Sequence, residues 1–277
     1  MSKEVLVIGG TGFIGTHVCN RLNKAGYKVT AGVSEKRESK YLDSEVDIEL
    51  ADITYQGSLN FGKYDTAINL AGLSPLFKPS DVSYYDIHVE GVENIIEEAE
   101  RADLDHLIHM SAYGADPNAE TEYLRTKGAG QKLVEDSELE TCVFRPSVVL
   151  GKGSEFETLF SRLRRLPVAV LPGNPVFQPI DMADVADIFL YAVEKGLSGV
   201  FDIGGEEVLS MKDMVKRRFP DKPVLVSPSA LTRIGLQTAE FLPLRFGIDQ
   251  YKSLQMDNSL EKNDAEGFLD SFRRVSV

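Results

Sequence analysis

Seven residues near the N-terminus restrict the chain to a small set of folds. Gly9-Gly10-Thr11-Gly12-Phe13-Ile14-Gly15 follows the run Glu4-Val5-Leu6-Val7-Ile8 without a break. That run is continuous and β-branched, as a parallel strand buried on both faces should be. From His17 on, apolar residues return at helical spacing at Val18, Leu22 and Ala25. Strand, glycine turn and helix N-terminus in this order build an anion site. The turn exposes backbone N–H groups, and the helix dipole adds about half a positive charge there. One glycine lets the chain turn tightly, and one lets backbone approach a pyrophosphate where a Cβ would collide. Gly15 lets the helix pack close on the strand. Two registers fit, Gly10-x-Gly12-x-x-Gly15 and Gly9-x-x-Gly12-x-x-Gly15. The contacts expected for a dinucleotide are Gly9, Thr11, Gly12, Phe13, Ile14 and Gly15. The competing reading, a glycine-rich structural turn, is disfavoured by the strand before it and the helix after it.

With 277 residues, the chain is long enough for one large α/β unit or for a nucleotide domain with a smaller lobe. Its formal charge of −13 argues against nucleic acid as a partner, because neutralising phosphates needs a basic face. Cys19 and Cys142 suggest no disulfide framework, and no metal-ligand spacing occurs. Neither a signal peptide nor an apolar run of membrane-spanning length is evident, so a cytoplasmic location is expected.

Further along, Tyr27–Val33 reads as a second strand whose end should meet the adenosine ribose. Ser34, Lys36 and Arg37 suit a 2′-phosphate, which favours NADP(H). Glu35 lies about where an NAD-selecting acid belongs, so NAD(H) stays open, as does a solvated loop of mixed charge. Strands are expected at Val46–Leu50 and Asp65–Leu70. Asp52, next to Ile53, is placed either to meet the adenine or to hold a turn. The fourth strand ends at Leu70 and runs into Ala71 and Gly72, small residues that let backbone lie against a cofactor. Tyr84–Ala102 has the pattern of an amphipathic helix.

His106–Met110 reads as a fifth strand, with Ser111 at the C-terminal end where open α/β sheets place ligands. Tyr123 and Lys127 follow, four apart and so on one face of a helix. A nearby ammonium should lower the tyrosine pKa from its reference near ~10. Such a tyrosine can move a proton to or from a substrate hydroxyl. Ser111 can hold the same oxygen, and Lys127 can also grip a ribose. The sixth strand closes at Arg145-Pro146-Ser147, whose turn faces the same ligand end.

Taken together, these pieces resemble the short-chain dehydrogenase/reductase family in its extended or atypical branch. The resemblance extends to Gln178-Pro179-Ile180-Asp181-Met182-Ala183-Asp184-Val185-Ala186 and to Phe201-Asp202-Ile203-Gly204-Gly205, and so covers nearly the whole chain. Within the branch it is nearest to the group that holds the nucleotide-binding accessory subunit of respiratory complex I and its prokaryotic relatives. Tyr-Leu-Arg-x-Lys and the stretch around Asp257-Asn258 carry that likeness. It implies a Rossmann-type, doubly wound parallel sheet with bound NAD(P). It also implies Tyr123 as acid/base, Lys127 as its helper and Ser111 as a hydroxyl anchor. Two positions depart from the pattern: Ala112 stands where relatives often carry a second serine, and Ser34 where many carry an arginine for the 2′-phosphate.

The expected organisation is a dinucleotide-binding core over 1–150 and a small substrate lobe over 151–277, partly interleaved with it. Arg162, Arg164 and Arg165 suit either a nucleotide diphosphate or a solvated basic face. Residues 229–246 are apolar enough to cap the pocket, or else to dock on a partner or membrane surface. The leading reading is an NAD(P)-dependent oxidoreductase or sugar-nucleotide epimerase-type enzyme acting on a small molecule with a hydroxyl or carbonyl carbon. Its rival is a subunit or redox sensor that holds NADP(H) without turnover.

Overall fold

The structure, a computed structural model, describes residues 3–35, 41–75, 81–227, 252 and 256–275. Residues 229–246, with their expected capping role, lie outside the described residues.

Seven parallel strands form the central sheet. They are β1 (Glu4–Ile8), β2 (Lys28–Val33), β3 (Asp47–Leu50), β4 (Thr66–Asn69), β5 (His106–Met110), β6 (Thr141–Pro146) and the strand Gly199–Ile203. Their spatial order is Gly199–Ile203, β6, β5, β4, β1, β2, β3. The chain runs outward from β1 to β3 and then returns to start β4 on the other side of β1. The topological switch therefore falls between β1 and β4, where open sheets of this kind bind ligands at their carboxyl ends.

The β-branched run of β1 is buried because helices cover both faces of it. Val5 and Val7 pack into one core with Val18, Leu22 and Phe189. Leu6 and Ile8 pack into the opposite core with Val92, Ile95 and Leu107. Side chains two apart share a face, so four consecutive apolar residues serve two cores, each worth about 1.5–3 kcal/mol when buried. Helices α1 (Phe13–Lys24), α2 (Gly91–Arg101), α3 (Glu122–Asp136), α4 (Glu155–Arg164), α5 (Met182–Lys195) and α6 (Met211–Arg218) complete the layers.

α5 lies over the sheet beside α1, and Gly199–Ile203 pairs with β6 in register Phe201↔Phe144. Residues from the second half of the chain thus extend the central sheet. α5 starts on the Asp181 carboxylate, which accepts from Ala183 N–H at 2.8 Å, and ends on Gly196 at φ +58°. A third core, around Phe156, Phe160, Phe177 and Met214, sits under α4 and α6.

The amphipathic helix expected over Tyr84–Ala102 is two pieces. Asp86–Glu90 forms a wide π turn, and the regular helix begins at Gly91. The neighbouring α3 explains the widening. A Cβ on Gly130 would stand 1.9 Å from the His88 carbonyl oxygen, so the two backbones touch and His88 turns beneath α3. Turns of this kind are frequent at functional sites.

Candidate dinucleotide and substrate site

The glycine turn is held by backbone before any ligand arrives. Gly9 and Gly10 N–H both donate to Gly32 O, and Gly12 N–H donates to Gly9 O at 3.0 Å. Gly9 has φ +76°, and a Cβ on it would lie 3.0 Å from Ala71 N. A Cβ on Gly15 would lie 2.1 Å from Gly9 O. The helix behind the turn has no side-chain cap and no acid in its first turn. Its first i→i−4 bond runs from Thr16 N to Gly12 O, so the amides of residues 13–15 precede the ladder. Open N–H groups, close backbone and a positive dipole end suit a pyrophosphate.

A cavity of about 380 Å³ runs from this turn to the start of α3. Gly9, Gly12, Phe13, Ile14, Gly15, Leu70 and Gly72 line it, and so do Ser111, Tyr123, Lys127, Pro146 and Ser147. The structure therefore brings the expected catalytic trio to one space with most of the expected cofactor contacts. Ser111 is 1% exposed, and its hydroxyl has no hydrogen-bond partner among the described residues. A buried polar atom left open beside a cavity is costly unless a ligand or water completes it.

Lys127 is 4% exposed and donates from Nζ to Met110 O at 2.9 Å. Gly72 makes room for it, since a Cβ there would come within 3.3 Å of Nζ. Burial lowers the ammonium pKa from 10.5 to about 8. The Tyr123 phenol is pushed above its ordinary range, first by burial and then by the negative fields of Glu155 and Tyr84. The lowering expected from the Tyr-x-x-x-Lys spacing is thus reversed. Lys127 is tied to a carbonyl, and burial dominates at the phenol.

Four supporting residues were not singled out from the sequence. Asn69 gives its Oδ1 to Ala71 N–H, so its amide nitrogen donates to His109 Nδ1 at 3.1 Å. His109 thus carries its proton on Nε2, which is buried without a partner among the described residues. Burial and the charge on Lys127 drop its pKa to about 3. His88 Nε2 accepts from Leu73 N–H at 3.1 Å, which puts the ring proton on Nδ1, 3.0 Å from Thr126 Oγ1. The His88 ring stacks on Tyr84 and meets Tyr123 edge-on at 5.6 Å. Glu155, at the start of α4, lines the cavity, and burial raises its pKa against a hydrogen bond from Ser74. Asn69 and His109 share a signal, a polar residue in a buried strand; His88 and Glu155, among other polar residues of their helices, carry none.

Other expected contacts stand elsewhere. Thr11 and Ser34 are exposed, and Lys36 and Arg37 lie outside the described residues. Asp52 accepts from Thr54 N–H and Oγ1–H in a turn, which is the local alternative the sequence left open. Ile53 is buried against Gly91, and Ala71 packs partly into the core beneath α2. Ser147 borders the cavity, but its hydroxyl donates to Asn258 O at 2.7 Å and accepts from Gln178 N–H. Arg162, Arg164 and Arg165 are exposed on the outside of α4 and the turn after it.

The sheet order, the pyrophosphate cradle at the switch point and the Tyr/Lys pair at its mouth define a dinucleotide-binding α/β protein. Residues 5–204 match the NAD dependent epimerase/dehydratase family, to which the chain belongs. A nicotinamide dinucleotide is the group such a family implies, and the glycine cradle and open amides fit it. Among curated proteins, the NADH-ubiquinone oxidoreductase 40 kDa subunit of Neurospora crassa mitochondria is 31% identical over 152 residues. That match covers 52% of this chain and 40% of that protein. Sterol demethylase protein B of Methylococcus capsulatus is 23% identical, covering 94% and 90%. The chain spans about half the length of the first complex I-type relatives it matches, 40% and 50%. Among solved structures, UDP-glucose 4-epimerase of Thermotoga maritima superposes with a TM-score of 0.67 at 21% identity, covering 81% and 85%, which speaks to the fold. Among the described residues no helix is long and apolar enough to cross a membrane.

Proposed function

We propose that the chain is an NAD(P)-dependent oxidoreductase that transfers hydride and proton at a hydroxyl or carbonyl carbon. The observation that carries this reading is the Ser111 hydroxyl, buried and unpartnered in the cavity that Tyr123 and Lys127 also line. Gly9, Gly12 and the amides of residues 13–15 would hold the pyrophosphate. When bound, the nicotinamide would supply the hydride for a carbonyl carbon, or accept one from a carbinol carbon. Ser111 orients the substrate oxygen. Tyr123 gives that oxygen a proton in the reduction direction, which suits a phenol that burial keeps protonated. Lys127, still charged at neutral pH, opposes the negative charge left on Tyr123.

Selectivity for NADP(H) rests on Ser34, Lys36 and Arg37 at the end of β2, with NAD(H) as the alternative through Glu35. Fluorescence titration should show tighter NADPH binding, lost selectively in Lys36→Ala/Arg37→Ala. A preference for NADH would transfer the ribose contact to Glu35. A panel of ketones, quinones and nucleotide sugars, followed by nicotinamide absorbance, tests turnover. Tyr123→Phe should cut it by ~10²–10⁴-fold with cofactor affinity retained. Unchanged turnover in that variant would reject the mechanism.

A second reading is favoured by the complex I subunits among the relatives. The chain would then hold the dinucleotide as part of a larger assembly, and tight cofactor binding without turnover of any panel member would select it.

A further inference from the structure

The substrate half of the cavity has a chemistry of its own. Its walls are apolar: Phe13, Leu73, Pro75, Val148, Phe156 and Phe177 line it. Set among them is Glu155, a carboxylate that burial already penalises and that a Ser74 hydrogen bond relieves in part. Asp257 adds a second acid to the rim, where its Oδ1 also accepts from Val176 N–H. Lys127 supplies a positive charge among the described lining residues, and it is already bound to Met110 O.

A diphosphate brought against Glu155 would add like charge in a low-dielectric space, where such repulsion is weakly screened. The arginines next to this region in sequence, Arg162, Arg164 and Arg165, are exposed and absent from the described lining.

We propose that the substrate half of this cavity takes an uncharged, largely apolar alcohol or ketone, and that Glu155 turns anions away. This rests on the reading of Tyr123, Lys127 and Ser111 as the substrate end of a dinucleotide site. Its basis is the carboxylate and the apolar walls around it, not the neighbours' ligands. Glu155 selects by charge, and Ser74, which also lines the cavity, hydrogen-bonds to it.

The test is ligand-observed NMR on the full chain saturated with NADPH or NADH, whichever binds, so that the glycine turn is not offered to other phosphates. The probes are cyclohexanone, UDP and UDP-glucose. Cyclohexanone should show saturation transfer at a concentration where UDP and UDP-glucose show at least ~10-fold less. Glu155→Lys should raise UDP affinity by ~10-fold or more, with a thermal melt to confirm folding. Wild-type protein that binds UDP-glucose more tightly than cyclohexanone would overturn the proposal. So would a folded Glu155→Lys with unchanged UDP affinity. If the wild-type ratio is as expected and the ketone is bound but never reduced, this inference stands and the catalytic reading falls.

Discussion

Lys127 shows what a single buried residue costs this fold. Its ammonium is enclosed, with Met110 O as a hydrogen-bond partner, and its pKa falls from 10.5 to about 8. The folded state therefore carries a penalty for the charge at every pH below about 8. Between about 8 and 10.5 the unfolded chain still binds the proton while the folded chain has released it. The unfolded state then holds more protons, so this group makes stability rise with pH across that window. Lys127→Met should accordingly stabilise the protein at pH 7, on the order of 1–3 kcal/mol by urea unfolding, while cofactor binding and turnover fall. The gap between variant and wild type should narrow by pH 10. A methionine variant less stable than wild type at pH 7 would mean that the bond to Met110 outweighs the desolvation. Carbonyl reduction by the wild type should decline above about pH 8, where the charge beside Tyr123 is lost. Tyr123 and Lys127, expected on one face of a helix from their spacing, both line the cavity. The direction of the tyrosine shift was not legible in that spacing, because it is set first by burial in the folded protein and then by Glu155 and Tyr84, which are remote in sequence.

At the scale of elements, the contact between α3 and the π turn positions the site. Gly128 and Gly130 let backbone approach α3 on two different sides: a Cβ on the first would lie 2.3 Å from Asp116 C, and on the second 1.9 Å from His88 O. Gly130→Ala should therefore push α3 off Asp86–Glu90 and break the His88–Thr126 bond. It should cost more than 2 kcal/mol despite the gain in helix propensity, with a larger loss of turnover than the loss of stability explains. Urea melts together with kcat on residual folded protein would separate the two effects, and a stability change within 0.5 kcal/mol would refute this packing argument. The same contact marks where sequence reading ends. The glycine turn was legible because its parts are contiguous and each glycine answers a local steric demand. Strands β1 and β4 were legible because an apolar run buried on both faces needs no partner to be recognised. The π turn looked like ordinary helix, since Ile87, Val92, Ile95 and Ile96 keep helical spacing and the cause of the widening lies about forty residues away. Asn69, His88, His109 and Glu155 escaped notice for the same reason: each gains its meaning from a partner on another element.

For the molecule as a whole, the second half of the chain is locked to the first by charge as well as by the sheet. Asp184 on α5 is 0% exposed and accepts from the Arg273 backbone N–H at 2.9 Å and from its guanidinium Nη1 at 2.5 Å. The same guanidinium reaches Asp187 at 2.7 Å, and Asp187 also holds Arg21 of α1. In the segment that resembles the family pattern, Asp184 is thus an anchor for the chain's final stretch, well away from the cavity lining. Removing Arg273 leaves the buried Asp184 carboxylate without its charged partner, while the guanidinium itself is half exposed and partly screened by water. Arg273→Ala should lower stability by roughly 1–2 kcal/mol, less than for a fully buried pair because water and the backbone N–H remain. The midpoint of urea unfolding should fall at constant slope. Adding Asp184→Asn to Arg273→Ala removes the stranded charge, so the double variant should be more stable than Arg273→Ala alone. That sign separates an electrostatic anchor from simple packing, for which two truncations at one contact would not compensate. Cofactor affinity should stay at the wild-type level in every folded variant, since neither residue borders the cavity. A double variant no more stable than Arg273→Ala would show that the arginine's stem, lying over α5, carries the attachment.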